Sequence, residues 1–209
     1  MRLYSTSRIQ RRLGERMFLK AERDATQKSA MIRRPYPPGQ HAKRAGRRGG
    51  SEFGIALKEK QKLRYLYGVS DNALKRYVEE ASRARQTTKT AALLELLERR
   101  IDSVAWRLGF LPSRRVARQA VTHGHVLVNG KRVHTPSRLM RIGDVIEIHP
   151  QSRSKGLFAD TQKRLAKYEP PAWLALEPEA WRGSVRAMPD QPNDSIAFDT
   201  SRVIEFYSR

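Results

Sequence analysis

The chain has 209 residues and a formal net charge of +21 at pH 7, from 42 Lys and Arg residues against 21 Asp and Glu residues. So large a basic excess indicates a polyanionic partner such as nucleic acid. No stretch is apolar over the length that a membrane span needs, and the absence of cysteine excludes disulfides, thiol nucleophiles and thiolate zinc sites.

The positive charge is concentrated at the amino-terminal end, where residues 1–50 carry +11 of the total. The first twenty residues are rich in Arg and Ser, and no acidic residue precedes Glu15. This pattern predicts a basic arm that becomes ordered on its partner, with an organellar transit peptide as the alternative.

The next segment is interrupted by Pro35, Pro37 and Pro38, which fix backbone angles and predict an extended course. Its cations and its aromatic ring favour an arm that contacts RNA or DNA phosphates. A solvated linker and a proline-rich ligand of a recognition domain are the alternatives. The residues assigned to nucleic-acid contacts here are Arg33, Arg34, Tyr36, His41, Lys43, Arg44, Arg47 and Arg48.

Two helices are predicted to follow. The first runs from Ser51 to Tyr67 and ends at Gly68, and the second begins near Ser70 or Asp71. The second half of the first helix carries basic side chains that we assign to RNA contacts: Lys58, Lys60, Lys62 and Arg64. The apolar spacing of the second helix predicts these core positions: Leu74, Tyr77, Val78 and Ala81.

A third amphipathic helix is predicted to run through residues 93–108 and to end at Gly109, because apolar residues recur at helical spacing. A fourth helix follows at about residues 114–123, capped by Ser113 and ended by Gly124. On a helical wheel its polar side holds Arg114, Arg115, Arg118, Gln119 and Thr122, and its apolar side holds Val116, Ala117, Ala120 and Val121.

A hairpin is predicted directly after this helix, since Asn129 and Gly130 separate two β-prone runs. A further strand is predicted over Val145–Ile148, which gives a unit of two helices followed by a small antiparallel sheet. Basic residues of the fourth helix and of the hairpin then form one patch that suits RNA phosphates. We assign to this patch Arg114, Arg115, Arg118, Thr122, His123, Lys131 and Arg132.

The sequence contains no recognisable catalytic motif, so we predict that the protein is not an enzyme and uses no cofactor, small-molecule substrate or metal. A metal pair at His123 and His125 is disfavoured because no cysteine or close carboxylate completes a ligand set. Two alternatives are an RNA-modifying enzyme, such as a pseudouridine synthase, and a basic RNA or DNA chaperone without a fixed binding site. The residues after Pro150 are too few and too often interrupted by proline for a catalytic domain.

The last part of the chain is nearly neutral and contains apolar anchors. Trp173, Trp181 and the run Val203–Tyr207 are predicted to form core that closes a helical domain, with a protein-contact surface as the alternative.

Five segments stand in the order RRPYPPGQH, KEKQKLRYLYGV, LLELLERRIDSVAWRLGF, SRRVARQAVTHGHVLVNGKRV and VIEFYSR. With them the chain resembles, over nearly its whole length, the bacterial-type small-subunit ribosomal proteins of the S-four family. The resemblance implies an α+β fold in which a helical domain carries an inserted RNA-binding module. The implied divisions are a basic region at 1–50, a mainly helical domain at 51–92 with 159–209, and the module at 93–158.

The resemblance also implies a function. It implies a primary binder of small-subunit ribosomal RNA at a multi-helix junction, active in subunit assembly and, with protein S-five, in decoding accuracy. The basic residues Lys43, Arg44, Arg47 and Arg48 are implied to lie near the entrance for messenger RNA. The implied location is the small ribosomal subunit of the cytoplasm, with an organellar ribosome as the alternative.

One difference from the family is visible in the sequence. Many members carry four zinc-binding cysteines in the amino-terminal region, and here Ser7, Gln10, Asp24 and Ser29 stand at those positions. We therefore expect a zinc-less version whose amino-terminal fold depends on packing and on RNA.

Overall fold

The computed structural model describes residues 6–17, 19, 24, 26–40, 51–85, 87–189 and 198–208. The chain divides into two units, the first formed by residues 1–90 with 193–209 and the second by residues 91–192. Helices together with an antiparallel sheet confirm the predicted α+β class. In the part of the chain that is described, no helix is long and apolar enough to cross a membrane.

The first unit is helical. Its described helices are α1 (Thr6–Leu13), α2 (Ala30–Arg33), α3 (Glu52–Leu66), α4 (Asp71–Ser82) and, from the end of the chain, α9 (Thr200–Ser208). The second unit contains α5 (Lys89–Glu98), α6 (Ile101–Arg107), α7 (Arg114–Thr122) and α8 (Thr161–Leu165), with α5 beginning two residues before the unit boundary.

Local capping explains where α3 and α4 begin. The hydroxyl of Ser51 accepts a hydrogen bond from the amide of Gly54, and the hydroxyl of Ser70 accepts one from the amide of Ala73, both at 3.2 Å. Both helices therefore start where the sequence predicts. Of the four core positions expected on α4, Tyr77 is only half-buried, and the buried ones are Leu74, Val78 and Ala81.

The terminal helix α9 packs along α3 within the first unit. The rings of Phe53 and Phe206 lie 5.5 Å apart, and Val203 is fully buried. The amide of Asp199 donates a hydrogen bond of 3.0 Å to Glu59. The terminal run therefore closes the helical unit.

The second unit is built on a five-stranded antiparallel sheet with the order β2-β1-β3-β5-β4. Its strands are β1 (Val126–Val128), β2 (Lys131–Arg132), β3 (Val145–Ile148), β4 (Leu174–Glu177) and β5 (Arg182–Val185). One side of the sheet packs with α6 and α7 into a single core that includes Val126, Ile146, Ile148, Leu174 and Val185. The unit is thus a two-layer α/β sandwich of the kind that small mixed domains adopt.

The single helix predicted over residues 93–108 is wrong, since α5 and α6 are separate. Between them, Arg100 is extended and forms a β-bridge with Leu139. The amide of Ile101 donates to the carbonyl of Arg138, and the amide of Met140 donates to that of Arg99, at 2.9 and 2.8 Å. Backbone groups that would continue the helix are therefore used to pair with a later segment.

The unit to which the later part of the chain belongs also differs from the prediction. Residues 159–192, assigned from the sequence to the helical domain, belong to the second unit. The reason is that β5 pairs with β3, so that Ile146 lies opposite Gly183. Trp173 and Trp181 consequently join the core of the second unit and do not close the helical one.

Candidate nucleic-acid interface

Helix α7 has one exposed polar side because Ser113 fixes where the helix begins. The hydroxyl of Ser113 accepts a hydrogen bond of 3.4 Å from the amide of Val116. From that start, Ala117, Ala120 and Val121 fall on the buried side. The exposed side holds Arg115, Arg118, Gln119 and Thr122, as the helical wheel predicts.

Arg114 does not lie on this exposed side, which corrects the expectation that it contacts RNA. Its side chain is 6% exposed, and Nη2 donates a hydrogen bond of 2.8 Å to Glu98. The guanidinium carbon lies 3.9 Å from the centroid of the Trp106 ring. Arg107 donates two further hydrogen bonds of 2.9 Å to the same carboxylate. A carboxylate from another helix therefore binds Arg114, and a helical wheel carries no information about it.

Arg118 remains about half exposed beside a buried ion pair. Its Nη1 lies 3.7 Å from Asp102, whose carboxylate accepts hydrogen bonds of 2.6 and 3.0 Å from Arg100. Burial raises the pKa of Asp102, while the charges of Arg100 and Arg118 oppose that rise. The Asp102 carboxylate thus lies beside Arg118 on its buried side, while about half of the Arg118 side chain is exposed to solvent.

The hairpin presents two more cations. Asn129 and Gly130 both have positive φ, at 49° and 77°, as a two-residue type I′ turn requires. The Asn129 side chain donates to Asp144 at 2.8 Å and accepts from the amide of Val145 at 2.9 Å, so the turn is tied to the start of β3. Lys131 and Arg132 follow the turn and are exposed.

His134 connects the hairpin with the end of α7. Its Nδ1 lies 3.2 Å from the carbonyl oxygen of Thr122. A Cβ placed on Gly124 would lie 2.5 Å from the His134 ring, so only glycine permits this approach. The fold thus joins the polar side of α7 to the basic hairpin. We call these residues the α7–hairpin surface: Arg115, Arg118, Thr122, His123, Lys131 and Arg132.

Three further residues lie near this surface: His125, which the sequence analysis considered only as part of a disfavoured metal pair, and His149 and Lys155, which it did not single out. Val126 pairs with Ile148, which sets His125 beside His149 at one end of these two strands. Burial lowers the pKa of His125, and the charges of Lys155, His123, His149 and Arg132 lower it further. The sequence predicts both strands, but it does not specify their register and so does not show that His125 and His149 lie side by side.

In the first unit the structure orders the proline segment around Arg11. Its Nε donates to the carbonyl oxygens of Arg34 and Tyr36 at 3.1 and 2.9 Å, and its guanidinium lies 4.8 Å from the centroid of the Tyr36 ring. Arg33, the last residue of α2, and Arg34 are exposed. Tyr36 is therefore half-buried against an arginine of its own chain.

Three of the four basic side chains of α3 that the sequence assigned to RNA contacts bind acidic side chains instead. Lys58 is exposed, but the other three assigned cations point to acidic side chains of the first unit. Lys60 and Arg64 bind Asp71 at 2.9 and 3.0 Å, and Lys62 binds Glu59 at 2.7 Å and also Glu15. The remaining sequence-assigned residues lie outside the described residues: His41, Lys43, Arg44, Arg47 and Arg48.

Comparison with known proteins matches both units of the chain. A family model described as the ribosomal protein S4/S9 N-terminal domain matches residues 2–98, and one described as the S4 domain matches residues 99–146. The small ribosomal subunit protein uS4 of Thermus thermophilus is 43% identical over 202 residues, which cover 97% of this chain and 96% of the relative. The chain belongs to the uS4 family.

Two other uS4 proteins match this chain with similar identity and coverage. The protein of Citrifermentans bemidjiense is 42% identical over 202 residues, covering 97% of this chain and 96% of the relative. That of Syntrophomonas wolfei is 41% identical over 205 residues, covering 98% and 97%. The uS4 family is structural and has no enzymatic activity, so the prediction that this chain is not an enzyme is confirmed.

This uS4-family chain is cysteine-free, and the four residues at the zinc positions do not fit a zinc site. Gln10 donates a hydrogen bond of 2.6 Å to the carboxylate of Asp24, and both side chains are buried. Ser29 is fully buried, and Ser7 supplies only a hydroxyl. Structural zinc sites use thiolates and imidazoles, whereas amides and hydroxyls are poor ligands. A direct hydrogen bond from Gln10 of α1 to Asp24 therefore joins two of the four positions that correspond to the zinc-binding cysteines of many family members.

Proposed function

We propose that this chain is a structural constituent of the small ribosomal subunit and that it binds small-subunit ribosomal RNA through the α7–hairpin surface. The observation that carries the proposal is the link between two elements through His134 and Thr122. Because Arg115 and Arg118 lie on α7 while Lys131 and Arg132 lie on β2, the spacing of the four cations is set by the fold. Exposed guanidinium groups suit bidentate contacts with phosphates.

This arrangement favours recognition of RNA shape. Phosphate contacts position a protein on nucleic acid, while sequence is read at base edges. The α7–hairpin surface offers mainly cations, together with one hydroxyl and one imidazole. Structured RNA is recognised largely through its backbone and its shape. We therefore propose that the chain is a primary binder of a multi-helix junction of the ribosomal RNA and acts in subunit assembly.

The amino-terminal region supplies a second proposed contact. Arg33 and Arg34 are exposed beside the extended proline segment, and Lys58 is exposed on α3. The contact between Tyr36 and Arg11 favours an anchoring role for this ring. We propose that His41, Lys43, Arg44, Arg47 and Arg48 extend this contact, the four cations meeting messenger RNA near its entrance.

Further parts of the proposal come from the family. We propose that the chain cooperates with protein S-five and other small-subunit proteins in decoding accuracy. The proposed location is the cytoplasmic small ribosomal subunit, with an organellar ribosome as the alternative.

The test is binding of a labelled junction RNA to the full chain at several salt concentrations, with an Arg115→Ala and Arg118→Ala double variant. Loss of two phosphate contacts should lower affinity about 10- to 100-fold and reduce the log–log salt slope by about two. The matched control is a Lys163→Ala and Lys167→Ala variant, which loses the same charge from exposed positions in and just after α8.

Equal losses in the two variants would indicate that net charge alone drives binding, which would support the chaperone alternative. Competition by duplex DNA distinguishes the same two hypotheses. A junction binder keeps its preference for the RNA at matched phosphate concentration, and a general basic chaperone loses it.

A further inference from the structure

Three histidine rings and two cationic side chains come together near one end of the paired strands β1 and β3. His125 precedes β1 and His149 follows β3, and the amide of His149 donates to the carbonyl of His125 at 2.9 Å. The ring centroids of His123 and His125 lie 6.0 Å apart. Lys155 and Arg132 are near enough to lower the pKa of His125. We call these five residues the histidine cluster: His123, His125, Arg132, His149 and Lys155.

The contacts of His149 leave a donor without a suitable acceptor. Its Nδ1 lies 3.2 Å from the amide nitrogen of Gln151, and its Nε2 lies 2.8 Å from Nη2 of Arg132. Both neighbours are donors, but a neutral imidazole has only one nitrogen with a free lone pair. If Nδ1 accepts from Gln151, then Nε2 carries a hydrogen that faces the Arg132 guanidinium. An oxygen anion that bridges Arg132 and His149 from the solvent side would accept a hydrogen bond from each.

The surroundings of His125 point to the same kind of ligand. Its Nδ1 lies 3.0 Å from the hydroxyl of the buried Ser152, and its ring meets Phe158 edge-on at 6.0 Å. Each charged or titratable neighbour that shifts its pKa lowers it, namely Lys155, His123, His149 and Arg132. The adjacent elements add His134 beside Thr122 and Arg153, which donates to the carbonyl of Ala180. A bound anion would offset these charges and favour the imidazolium form.

We propose that the histidine cluster binds one phosphate group of the RNA backbone and that this binding takes up a proton, so that RNA affinity increases as the pH falls from 8 to 6. The inference rests on the proposed function, because the phosphate belongs to the RNA that meets the α7–hairpin surface. Arg132 belongs both to the histidine cluster and to the α7–hairpin surface, so the two sets of residues are contiguous. Arg132 and His149 donate to the phosphate oxygens, while His125 holds the added proton.

The test measures the affinity of the full chain for the labelled junction RNA between about pH 6 and pH 8 at constant ionic strength. Each unit by which a bound phosphate raises the pKa of a linked imidazole corresponds to a tenfold change in affinity. We therefore expect the affinity to fall about three- to tenfold as the pH rises from 6 to 8. Calorimetric titration of the unchanged protein in buffers of different ionisation enthalpy should show net proton uptake on binding. This second measurement needs no variant and therefore does not depend on the folding of one.

A His125→Gln and His149→Gln double variant should bind more weakly at pH 6 and lose most of the pH dependence. The matched control is the Lys163→Ala and Lys167→Ala variant, which removes two exposed cations of the same unit outside the cluster and should keep the pH dependence. RNA binding without pH dependence or proton uptake would overturn this inference and leave the proposed function intact. Pronounced pH dependence that persists in the double variant would overturn the assignment to this cluster. Failure to bind the junction RNA at any pH would overturn both.

Discussion

The guanidinium of Arg114 lies 3.9 Å from the centroid of the Trp106 ring, so a residue at the start of α7 packs directly against α6. The same guanidinium shares the buried carboxylate of Glu98, at the end of α5, with Arg107. Three helices therefore meet at one carboxylate. This connection fixes the position of α7, and with it the direction in which Arg115 and Arg118 face.

Loss of this carboxylate should destabilise the second unit. Glu98→Ala leaves two buried guanidinium groups without their shared acceptor, and removal of one partner from a buried ion pair costs about 3–5 kcal/mol. Urea unfolding of the full chain, followed by circular dichroism, measures the change in the free energy of unfolding. Arg114→Ala should also destabilise, whereas Arg115→Ala, one residue away and exposed, should remain close to the unchanged protein. Equal effects of Arg114→Ala and Arg115→Ala would contradict the buried position of Arg114.

A second prediction concerns the contact between Gly183 of β5 and Leu108, the residue that follows α6. A Cβ on Gly183 would lie 2.5 Å from a methyl carbon of Leu108 and 3.0 Å from its Cγ, and Leu108 is fully buried. Overpacking of this kind costs about 1–3 kcal/mol, so Gly183→Ala should lower the thermal midpoint measurably. Gly156→Ala is the control, since a Cβ there has no neighbour within 4 Å among the described residues. A midpoint unchanged by Gly183→Ala would argue against the pairing of β5 with β3.

A third prediction concerns the buried hydrogen bond between Gln10 and Asp24. Gln10→Ala removes a buried hydrogen bond to a carboxylate, and a hydrogen bond to a charged group contributes about 1.5–3 kcal/mol. We expect the free energy of unfolding of the amino-terminal region to fall by this amount, as measured by hydrogen exchange of the amides of α1. Arg12→Ala, an exposed change on the same helix, is the control.

Treatment with a metal chelator tests whether this region is held together by the hydrogen bond alone or by a bound zinc ion. Because the side chains at positions 7, 10, 24 and 29 do not fit zinc, the thermal midpoint should be the same with and without EDTA. A chelator-dependent decrease would show that these residues hold a metal after all.

The fourth prediction concerns stability at alkaline pH. The Tyr207 hydroxyl is buried and has no hydrogen-bond partner within the described part of the chain. Burial, assisted by the charge of Asp71, raises the pKa of Tyr207 to about 12, above the value of about 10 in an unfolded chain. The unfolded chain therefore loses this proton first, and the stabilisation present below about pH 10 disappears as the pH rises towards 12.

Tyr207→Phe should remove this part of the alkaline loss and leave stability at neutral pH nearly unchanged. The comparison is urea unfolding at neutral pH and above about pH 10, with Tyr65→Phe as the control. A separate loss of stability at alkaline pH should persist in both variants because of Lys62. Burial lowers the pKa of Lys62, but its hydrogen bonds to Glu15 and Glu59 raise it overall, so its contribution also disappears at high pH. An identical alkaline loss before and after Tyr207→Phe would refute the role of this hydroxyl.

Features that depend on neighbouring residues were predictable from the sequence alone. Serines at 51, 70 and 113 cap helices because a side-chain oxygen reaches an amide only three residues ahead. The turn at Asn129 and Gly130 forms because these two residue types tolerate positive φ. The exposed side of α7 follows from helical periodicity, which needs no knowledge of the partner element.

Only the tertiary structure decided which groups meet across long distances in the chain. The interruption between α5 and α6 depends on backbone pairing of Arg100 with Leu139, and residues 174–185 join the sheet because β5 pairs with β3. Lys60, Lys62, Arg64 and Arg114 appear in the sequence as cations available to RNA, yet the fold brings an acidic side chain to each. The physical reason is that charge and helical spacing are local properties, whereas the partner of a side chain is chosen by packing among residues that the sequence places far apart.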